Sequence, residues 1–438
     1  MKDKIFELIK KEEDRQRDTL MMIPSENYTY PEVRQAVGSV LMQKYAEGQP
    51  KKRYYQGNGI VDEIEELCEE RVLKVFKLNS EKWSANVQAY SGSPANLAVY
   101  NALLSPGDKI MAMYLPDGGH LSHGWQMPDK KITFVSKIFD VSFYHVDPKT
   151  KVFDYDKIEK QALIFKPKIL ISGGTAYPSE IDHKKMAQIA KKVGAYYLAD
   201  IAHEAGLVAG GANKSPFPYA DVVTMTTHKT LRGPRGAIII CRKEYEEAID
   251  SSVFPGLQGG PHLHSIAGIA VALEKAMTPG FKKYASQVVK NARYLAKIFA
   301  DSGLDVVSGG TEKHLVLVDL TKSKANGAVV AYAHEIAGIV INKNTTPFDP
   351  MTPFYPSGIR FGTPAITARG MKEKEMKTIT GWMLKIIDYI SPYKLPGNKE
   401  ARNTFMKAFK EKIKKDELLL GIAEEVKNFC QKFPVPVK

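Results

Sequence analysis

The chain has 438 residues, of which 44% are hydrophobic and 25% are charged, a composition typical of a folded globular protein. Its three cysteines, Cys68, Cys241 and Cys430, are far apart and form no CxxC pair, which argues against a disulfide framework and against a zinc site. No run of about 20 apolar residues occurs, which excludes a membrane-spanning helix. The three unpaired cysteines predict a reducing, cytoplasmic location.

The formal net charge is +13 at pH 7. Such a balance is compatible with nucleic acid, a membrane surface, acidic small molecules or simply a lysine-rich surface. The lysines are spread along the chain, without an arginine-rich tract or an aromatic platform. This pattern argues against nucleic-acid binding and favours a lysine-rich surface. The local exception is 393–438, which holds eleven Lys or Arg against six Asp or Glu.

Three regions follow one another along the chain. Residues 1–50 begin with a charged segment of helical periodicity and continue as an irregular arm. Residues 51–280 alternate short apolar runs with amphipathic segments, including a predicted helix at 182–194 that ends at Gly194. This alternation predicts an α/β domain with a mostly parallel sheet covered on both faces. Its strands are predicted at 168–174, 196–203, 221–229 and 236–242.

The pattern changes after about residue 280. Helical periodicity dominates 281–438, and strands are predicted near 314–320 and 338–342. We therefore expect a second, smaller α+β domain at the C-terminal end.

Reactive side chains lie at the ends of two predicted strands. Asp200 and His203 end one strand, and Thr226, His228 and Lys229 end the next. Ligands of open α/β sheets bind outside the carboxyl ends of the strands. Pyridoxal phosphate (PLP) needs a lysine that forms an imine and a carboxylate that keeps its ring nitrogen protonated. Asp200 and Lys229 together therefore predict a PLP site.

The segment SGSPANLAVYNALL at 91–104 is a candidate phosphate site. Ser93 is predicted to cap a helix with Pro94 in its first turn. A helix N-terminus that follows Ser-Gly-Ser offers N–H groups and hydroxyls to an anion. Taken alone, the segment is more typical of an ordinary capped helix. The presence of Lys229 favours the phosphate role.

His120 follows two glycines, which let the backbone approach a ligand closely. Its imidazole is a candidate to stack on the pyridine ring. The alternative is a loop histidine without a role.

These segments, in this order, resemble the serine hydroxymethyltransferase family, PLP enzymes of the aspartate-aminotransferase fold. The resemblance covers nearly the whole chain, and its most specific motif is THKTLRGPRG at 227–236. It implies fold type I, with a mostly parallel seven-stranded sheet in the large domain and a smaller α+β C-terminal domain. The other matching segments are PSEN (24–27), KYAEGQPKKRYY (44–55), VQAYSGSPAN (87–96), GGHLSHG (118–124), DIAHEAGLVA (200–209), FPGLQGGP (254–261), INKN (341–344) and SGIRFGTPAITARG (357–370).

The resemblance implies roles around the cofactor. Lys229 would carry PLP, Asp200 would pair with its ring nitrogen, and His120 would stack on its face. Tyr45 and Gly260 would reach the cofactor from a neighbouring subunit. The complete set of implied cofactor contacts is Ser91, Gly92, Ser93, His120, Thr175, Asp200, His203, Lys229, Tyr45, Gly260 and Arg235.

The resemblance also implies the substrate contacts. Ser25 and Arg360 would hold the substrate carboxylate, which suits the planar fork of arginine. Glu47 would donate or accept a proton at the serine hydroxyl and folate. The implied catalytic residues are Lys229, Glu47, His228, Thr226 and Tyr55. The implied substrate contacts are Ser25, Tyr55, His203, Arg360, Glu47, Tyr54, Leu115, Gly119, Leu121 and Asn344.

The implied activity is the reversible transfer of the serine hydroxymethyl group to tetrahydrofolate, with PLP as cofactor and no metal. Sharing of Tyr45, Glu47 and Gly260 between subunits implies at least a homodimer. One alternative is a folate-independent PLP aldolase or transaldolase that acts on β-hydroxy amino acids such as threonine. Another is a basic protein that keeps the fold and binds nucleic acid, against which the complete set of PLP residues argues.

Several segments depart from the family pattern. Thr175 stands where serine is usual, and Asp117 precedes Gly-Gly-His. Residues 125–131 and Phe348 lie in or beside loops that the family uses for folate. Residues 393–416 match no part of the pattern. They are interpreted as a solvated basic tail in preference to an extra helix or a partner surface.

Overall fold

The computed structural model describes residues 3–323 and 325–436, and the chain divides into two compact units. One unit spans Thr29–Ser286. The other, the C-terminal unit, combines the described residues up to Tyr28 with those from Gln287 onward.

Helices account for much of both units, and none of those described combines the length and apolar character needed to cross a membrane. In chain order they are α1 (Lys4–Asp18), α2 (Pro31–Val37), α3 (Gly59–Phe76), α4 (Gly92–Leu103), α5 (Phe134–Ile138), α6 (Tyr155–Phe165), α7 (His183–Val193), α8 (Ala205–Ala209), α9 (Glu246–Ser251), α10 (Leu263–Ala276), α11 (Pro279–Asp301), α12 (Gly327–Ile336), α13 (Pro364–Ala368), α14 (Glu373–Ile390), α15 (Lys399–Ile413) and α16 (Glu417–Gln431).

The strands form two larger sheets and several two-stranded pairs. In chain order they are β1 (Leu20–Met21), β2 (Gly48–Gln49), β3 (Lys52–Arg53), β4 (Trp83–Asn86), β5 (Lys109–Met113), β6 (Gln126–Met127), β7 (Lys130–Lys131), β8 (Asp140–Tyr144), β9 (Ile169–Ser172), β10 (Tyr196–Asp200), β11 (Val222–Thr226), β12 (Ala237–Arg242), β13 (Asp305–Val306), β14 (Leu315–Asp319), β15 (Ile339–Val340), β16 (Asn342–Asn344) and β17 (Gly358–Gly362).

The Thr29–Ser286 unit is built on a seven-stranded mixed sheet with the order β4-β12-β11-β10-β9-β5-β8. Strands β11, β10, β9, β5 and β8 run parallel, whereas β12 is antiparallel to both of its neighbours. Strands β9 and β11 consist entirely of buried residues, as expected for strands covered on both faces. The four predicted strands coincide with β9 to β12, and the α/β class is confirmed.

Helix α7 illustrates how local sequence sets an element of this unit. The side chain of Asp182 caps it by accepting a hydrogen bond from the Lys185 N–H at 3.0 Å. Met186 and Ile189 are buried on its inner face. Gly194 ends the helix in the left-handed conformation, with φ of 69°, which glycine adopts without steric cost. The helix predicted at 182–194 is confirmed.

The other unit contains a four-stranded antiparallel sheet with the order β13-β14-β17-β16. The strands predicted near 314–320 and 338–342 correspond to β14 and β15. Strand β1 pairs in parallel with β15, and Leu20 and Met22 join the same buried core as Phe361. The N-terminal segment is therefore packed into this unit by burial and by backbone pairing.

Residues 393–416 contain helix α15. Phe409 and Ile413 on this helix are buried in the core of the C-terminal unit. The favoured interpretation of this segment as a solvated basic tail was wrong, because these two side chains are buried. The segment instead forms the extra helix α15.

A buried ion-pair network ties the loop around β3 to helix α3. The side chain of Arg53 is 3% exposed and lies 2.8 Å from the Asp62 carboxylate and 2.5 Å from that of Glu65. Glu65 is completely buried and also accepts a hydrogen bond from Gln88 at 2.6 Å. Burial raises the pKa of Glu65, while the Arg53 guanidinium favours its charged form. Arg53 is therefore the cation that makes this buried carboxylate tolerable.

We expect Arg53→Met to lower the unfolding free energy of the Thr29–Ser286 unit by about 3–5 kcal/mol, because Glu65 would lose its buried partner. Urea denaturation measures this loss. Lys51→Met is the matched control, since Lys51 pairs with Glu66 at the surface and such a pair contributes about 1 kcal/mol or less. Similar small losses in both variants would contradict the role of the buried pair.

Candidate active site

The carboxylate of Asp200 lies at the end of β10 and is 8% exposed. Its Oδ2 accepts hydrogen bonds from His123 Nε2 at 3.0 Å and from Asn96 Nδ2 at 2.9 Å. Its Oδ1 accepts from the Ala202 N–H at 2.9 Å. Burial by itself raises the pKa of Asp200, but the hydrogen bonds from His123 and Asn96, together with the electrostatic effect of the nearby histidines, outweigh it, and the pKa lies well below its ordinary value. The carboxylate is therefore ionised in a buried position.

Sequence reasoning missed two of the residues that hold Asp200. His123 and Asn96 are each 1% exposed. Asn96 Oδ1 accepts a hydrogen bond from Thr224 Oγ1 at 2.6 Å, and Thr224 lies beside Asp200 in the register of β10 and β11. The signal for His123 was present in GGHLSHG, where two histidines stand three residues apart. Asn96 offered no local signal beyond its place on α4.

Lys229 lies just beyond the end of β11 and is 8% exposed. Thr226 Oγ1 donates a hydrogen bond to the Ala202 carbonyl at 3.1 Å, and Thr230 Oγ1 donates to the His203 carbonyl at 2.9 Å. These bonds join the segments that follow β10 and β11. The structure thus brings the predicted strand-end residues to one edge of the sheet.

His228 stands beside Lys229 and is kept neutral. Burial, followed by the positive charges of Lys229 and Arg235, lowers the pKa of His228 to about 3. Its Nε2 lies 3.5 Å from an Arg235 nitrogen, and its buried Nδ1 has no hydrogen-bond partner among residues 3–323 and 325–436. This ring nitrogen can therefore bind a polar group of a ligand.

Helix α4 begins at Gly92, with Ser91 as its N-cap residue. The prediction that Ser93 caps the helix was wrong, because Ser93 already lies within the first turn. A Cβ added to Gly92 would lie 2.7 Å from Thr226 Cγ2, so only glycine permits this close approach of α4 to β11. The Ser91 side chain makes no capping hydrogen bond. The N–H groups of the first turn can therefore bind an anion.

His120 lies in the loop after β5. Its Nδ1 is 2.7 Å from Ser122 Oγ, and its ring meets that of His123 edge-on, with 5.6 Å between centroids. Burial, followed by the electrostatic effect of the nearby His123, lowers the pKa of His120 to about 4. The imidazole is therefore neutral near pH 7, as stacking on a cationic ring requires.

The loop that carries Leu115, Gly119 and Leu121 is held by backbone contacts. A Cβ on Gly119 would lie 2.3 Å from the Met113 carbonyl oxygen, so glycine is required here. The preceding carbonyl, that of Gly118, accepts a hydrogen bond from the Thr175 N–H at 2.7 Å. The loop is thereby fixed to the segment after β9, and Leu121 remains 52% exposed.

One ligand atom each of His120, His123 and Asp200 lies within 4.8 Å of the others, a spacing that a metal ion can bridge. The hydrogen bond from His123 Nε2 to the ionised Asp200 requires a proton on that nitrogen. A protonated nitrogen has no lone pair for a metal. The arrangement therefore suits a further N–H donor at Asp200 better than a metal ion.

A second group of predicted residues surrounds Tyr45. Its ring lies 5.4 Å from that of Tyr55, and a Cβ on Gly260 would lie 3.3 Å from Tyr45 Cε1. The Glu47 carbonyl accepts a hydrogen bond from the Tyr54 N–H at 2.9 Å. The three tyrosines are exposed. The structure therefore places these five residues together on the surface of the Thr29–Ser286 unit.

Ser25, Arg360 and Asn344 lie in the C-terminal unit. Arg360 on β17 is 6% exposed, and burial lowers its pKa to about 10. Its Nε donates to Asn342 Oδ1 at 3.2 Å. The Gly362 N–H donates to the Met22 carbonyl at 2.7 Å, so the chain that leads to Ser25 runs beside the end of β17. Arg360 is thus a buried cation that an anionic ligand would stabilise.

Comparison with known proteins agrees with this geometry. The sequence model of the serine hydroxymethyltransferase family matches residues 1–383. A serine hydroxymethyltransferase of Desulfotalea psychrophila is 48% identical over 432 residues, which cover 99% of this chain and 94% of the relative.

Similar matches occur in eukaryotes. The cytosolic serine hydroxymethyltransferase of Candida glabrata is 44% identical, over 99% of this chain and 95% of the relative. Serine hydroxymethyltransferase 3 of Arabidopsis thaliana, a chloroplastic protein, is 45% identical, over 98% of this chain and 82% of the relative. The chain therefore belongs to the serine hydroxymethyltransferase family.

Proposed function

We propose that this chain catalyses the reversible transfer of the hydroxymethyl group of serine to tetrahydrofolate, which gives glycine and 5,10-methylenetetrahydrofolate. PLP is the cofactor of this family and tetrahydrofolate its co-substrate. The observation that carries the proposal is the buried, ionised Asp200 on the same sheet edge as Lys229. The relatives support this activity, and none of those described supports the folate-independent aldolase.

The described residues fit PLP. Asp200 is a buried anion suited to a protonated ring nitrogen, and Lys229 supplies the amine for covalent attachment. The first turn of α4 and the unpartnered His228 Nδ1 provide donors for a phosphate. When bound, PLP supplies an electron sink for charge that develops at the substrate α-carbon. The further contacts that we assign to it are Ser91, Gly92, Ser93, His120, Thr175, His203, Thr226 and Arg235.

We assign the substrate carboxylate to Ser25 and Arg360. The planar guanidinium of Arg360 matches a carboxylate in a bidentate arrangement, and its burial strengthens the attraction. A carboxylate held in this way determines which bond at the α-carbon is aligned for cleavage. Orientation of this kind contributes up to ~7–11 kcal/mol in favourable cases.

We assign proton transfer at the serine hydroxyl and at folate to Glu47. Glu47 is partly buried, and its Oε1 would lie 3.2 Å from a Cβ added to Gly259, next to Gly260 of the same cluster. Positioned acid–base groups of this kind contribute about 10²–10⁴ to the rate. The residues that we assign to the substrate path and the pterin are Tyr54, Tyr55, Leu115, Gly119, Leu121 and Asn344.

We propose that the enzyme is at least a homodimer in which Tyr45, Glu47 and Gly260 serve the neighbouring subunit. A series of exposed apolar and aromatic side chains in the segment 40–60, which carries Tyr45 and Glu47, supports the proposal, because a surface of this kind favours association. Its members are Val40, Met42, Tyr45, Tyr54, Tyr55 and Ile60.

We further propose the aspartate-aminotransferase-like arrangement of fold type I and a cytoplasmic location. The seven-stranded sheet with five parallel strands supports the first proposal. The three buried free cysteines support the second, because reducing compartments keep thiols unpaired.

Asp200→Asn is expected to lower serine turnover with tetrahydrofolate by roughly 10²–10⁴-fold, because the loss of a buried charge partner costs about 3–5 kcal/mol. Turnover at saturating PLP and visible absorbance measure the effect. Asp221→Asn is the control: Asp221 precedes β11 at the opposite edge of the sheet and accepts from the Tyr197 N–H. Its turnover should stay close to that of the unmutated enzyme. Unchanged turnover in Asp200→Asn would remove the basis of the proposal.

Glu47→Gln is expected to lower serine turnover with tetrahydrofolate by about 10²-fold or more, while cleavage of threonine or phenylserine continues. The reason is that only the folate-dependent reaction needs proton transfer by this carboxylate. Steady-state rates with both substrates test the assignment. Glu63→Gln, at an exposed position of α3, is the control. Equal loss of both activities would contradict the role of Glu47.

The stability of the protein should fall in mild acid. Burial depresses the pKa of His228 to about 3 and that of His120 to about 4, from an ordinary value of 6.5. At pH values between the folded and the ordinary pKa of each histidine, the unfolded chain binds more protons than the folded one. The contribution of these histidines to stability is therefore complete above pH 6.5 and is lost as the pH falls. Urea denaturation across this range should show the slope. His228→Asn should flatten it, and an identical slope in this variant would contradict the burial argument.

A further inference from the structure

The C-terminal unit contains a cleft of ≈ 810 Å³, the α15 cleft, between α12, α15 and the segment after β16. This volume lies within the range of small-molecule sites. Apolar and aromatic side chains form much of its wall, among them Ile341, Tyr332, Tyr355 and Met406. Helix α15 lies beyond residue 383, where the match to the family model ends.

Four cations line this cleft: Lys343, Lys399, Arg402 and Lys410. The single acidic residue in the lining is Glu335. In the described part of the chain, none of the four cations lies within 4 Å of a carboxylate as an ion pair. The cleft therefore holds four positive charges against one negative charge, and none of the four cations is in an ion pair among the described residues.

Three of the four cations lie near aromatic rings, and Lys343 and Arg402 also donate hydrogen bonds to backbone carbonyls. The charged ends of Lys343 and Arg402 each lie 5.7 Å from the ring centroid of Tyr355, and that of Lys410 lies 5.1 Å from the ring of Tyr332. Cation–π contacts of this kind order the charged side chains without cancelling their charge. Lys343, Arg402 and Lys410 are thus positioned before any anion arrives.

Charge and apolar surface together define the chemistry of a ligand. Like charges that share a cleft repel one another, and an anion with two or more negative groups relieves that repulsion. The tyrosine rings, Met406 and Phe354, which is 78% exposed at the rim, suit a flat aromatic body. A ligand that is only anionic would leave the aromatic wall without a contact, and a ligand that is only aromatic would leave the cations without a partner.

We propose that this cleft binds a small aromatic polycarboxylate. The cleft includes Asn342 and Lys343 of β16, the strand whose third residue, Asn344, we assign to the pterin. Two molecules share the required chemistry: the benzoylglutamate portion of tetrahydrofolate, and a separate aromatic polycarboxylate that regulates the enzyme. The identification of tetrahydrofolate as the ligand rests on the proposed function, whereas the binding of an aromatic polycarboxylate to this cleft does not.

Titration calorimetry of the PLP-loaded enzyme with p-aminobenzoyl-triglutamate tests the proposal. We expect one molecule bound per chain, and about tenfold or more weaker binding in the double variant Arg402→Met, Lys410→Met, because two charge-assisted contacts are lost. The control is Lys407→Met, Lys415→Met, which removes the same charge from exposed positions outside the cleft. No binding to the unmutated enzyme, or equal weakening in both variants, would overturn the proposal.

Two further measurements keep this test decisive. The single variant Lys399→Met, with thermal melting as a check of folding, should also weaken binding, and an unchanged affinity in a folded Lys399→Met protein would count against the cleft. Repeating the titration with saturating tetrahydrofolate and glycine separates the sources. Competition identifies the co-substrate itself, and undiminished binding identifies a separate ligand. An enzyme that binds the probe but does not turn over serine would refute the proposed function and leave the cleft supported.

Discussion

The buried negative charge of Asp200 is the constraint on which the candidate site depends. Removing a carboxylate from water costs several kcal/mol unless hydrogen bonds replace the solvent. His123, Asn96 and the Ala202 N–H supply those bonds. They belong respectively to the loop after β5, to α4 and to the segment after β10. The contacts that keep the charge therefore also hold three elements at the sheet edge.

The same edge illustrates how burial assigns charge states. Asp200 is held ionised, whereas His120 and His228 are held neutral. Hydrogen bonds to the charged form favour ionisation, and desolvation without such bonds opposes it. A buried anion is suited to a cationic ring, and the neutral imidazoles of His120 and His228 do not compete with that ring for it. The opposite charge states follow from one physical balance and define what the edge can bind.

Positive charge has a comparable role in the C-terminal unit. Arg360 is a buried cation on β17, and the α15 cleft gathers four more cations around aromatic rings. Part of the net charge of +13 is therefore concentrated at positions where it can attract small anions. The remaining lysines are spread over the surface, as their distribution in the sequence indicates. The basic balance thus combines a solvated surface with built anion sites.

Local sequence was sufficient to predict the elements β9 to β12 and α7, and the position of Asp200 and Lys229 at neighbouring strand ends, because apolar periodicity, capping residues and strand-end chemistry are properties of short segments. It placed the cap of α4 at Ser93 instead of Ser91, because the approach of Gly92 to Thr226 joins distant segments. For the same reason it missed Asn96. Only the tertiary structure decided these contacts, the pairing of β1 with β15 and the α15 cleft, since residues far apart in the chain meet through packing that no local pattern encodes.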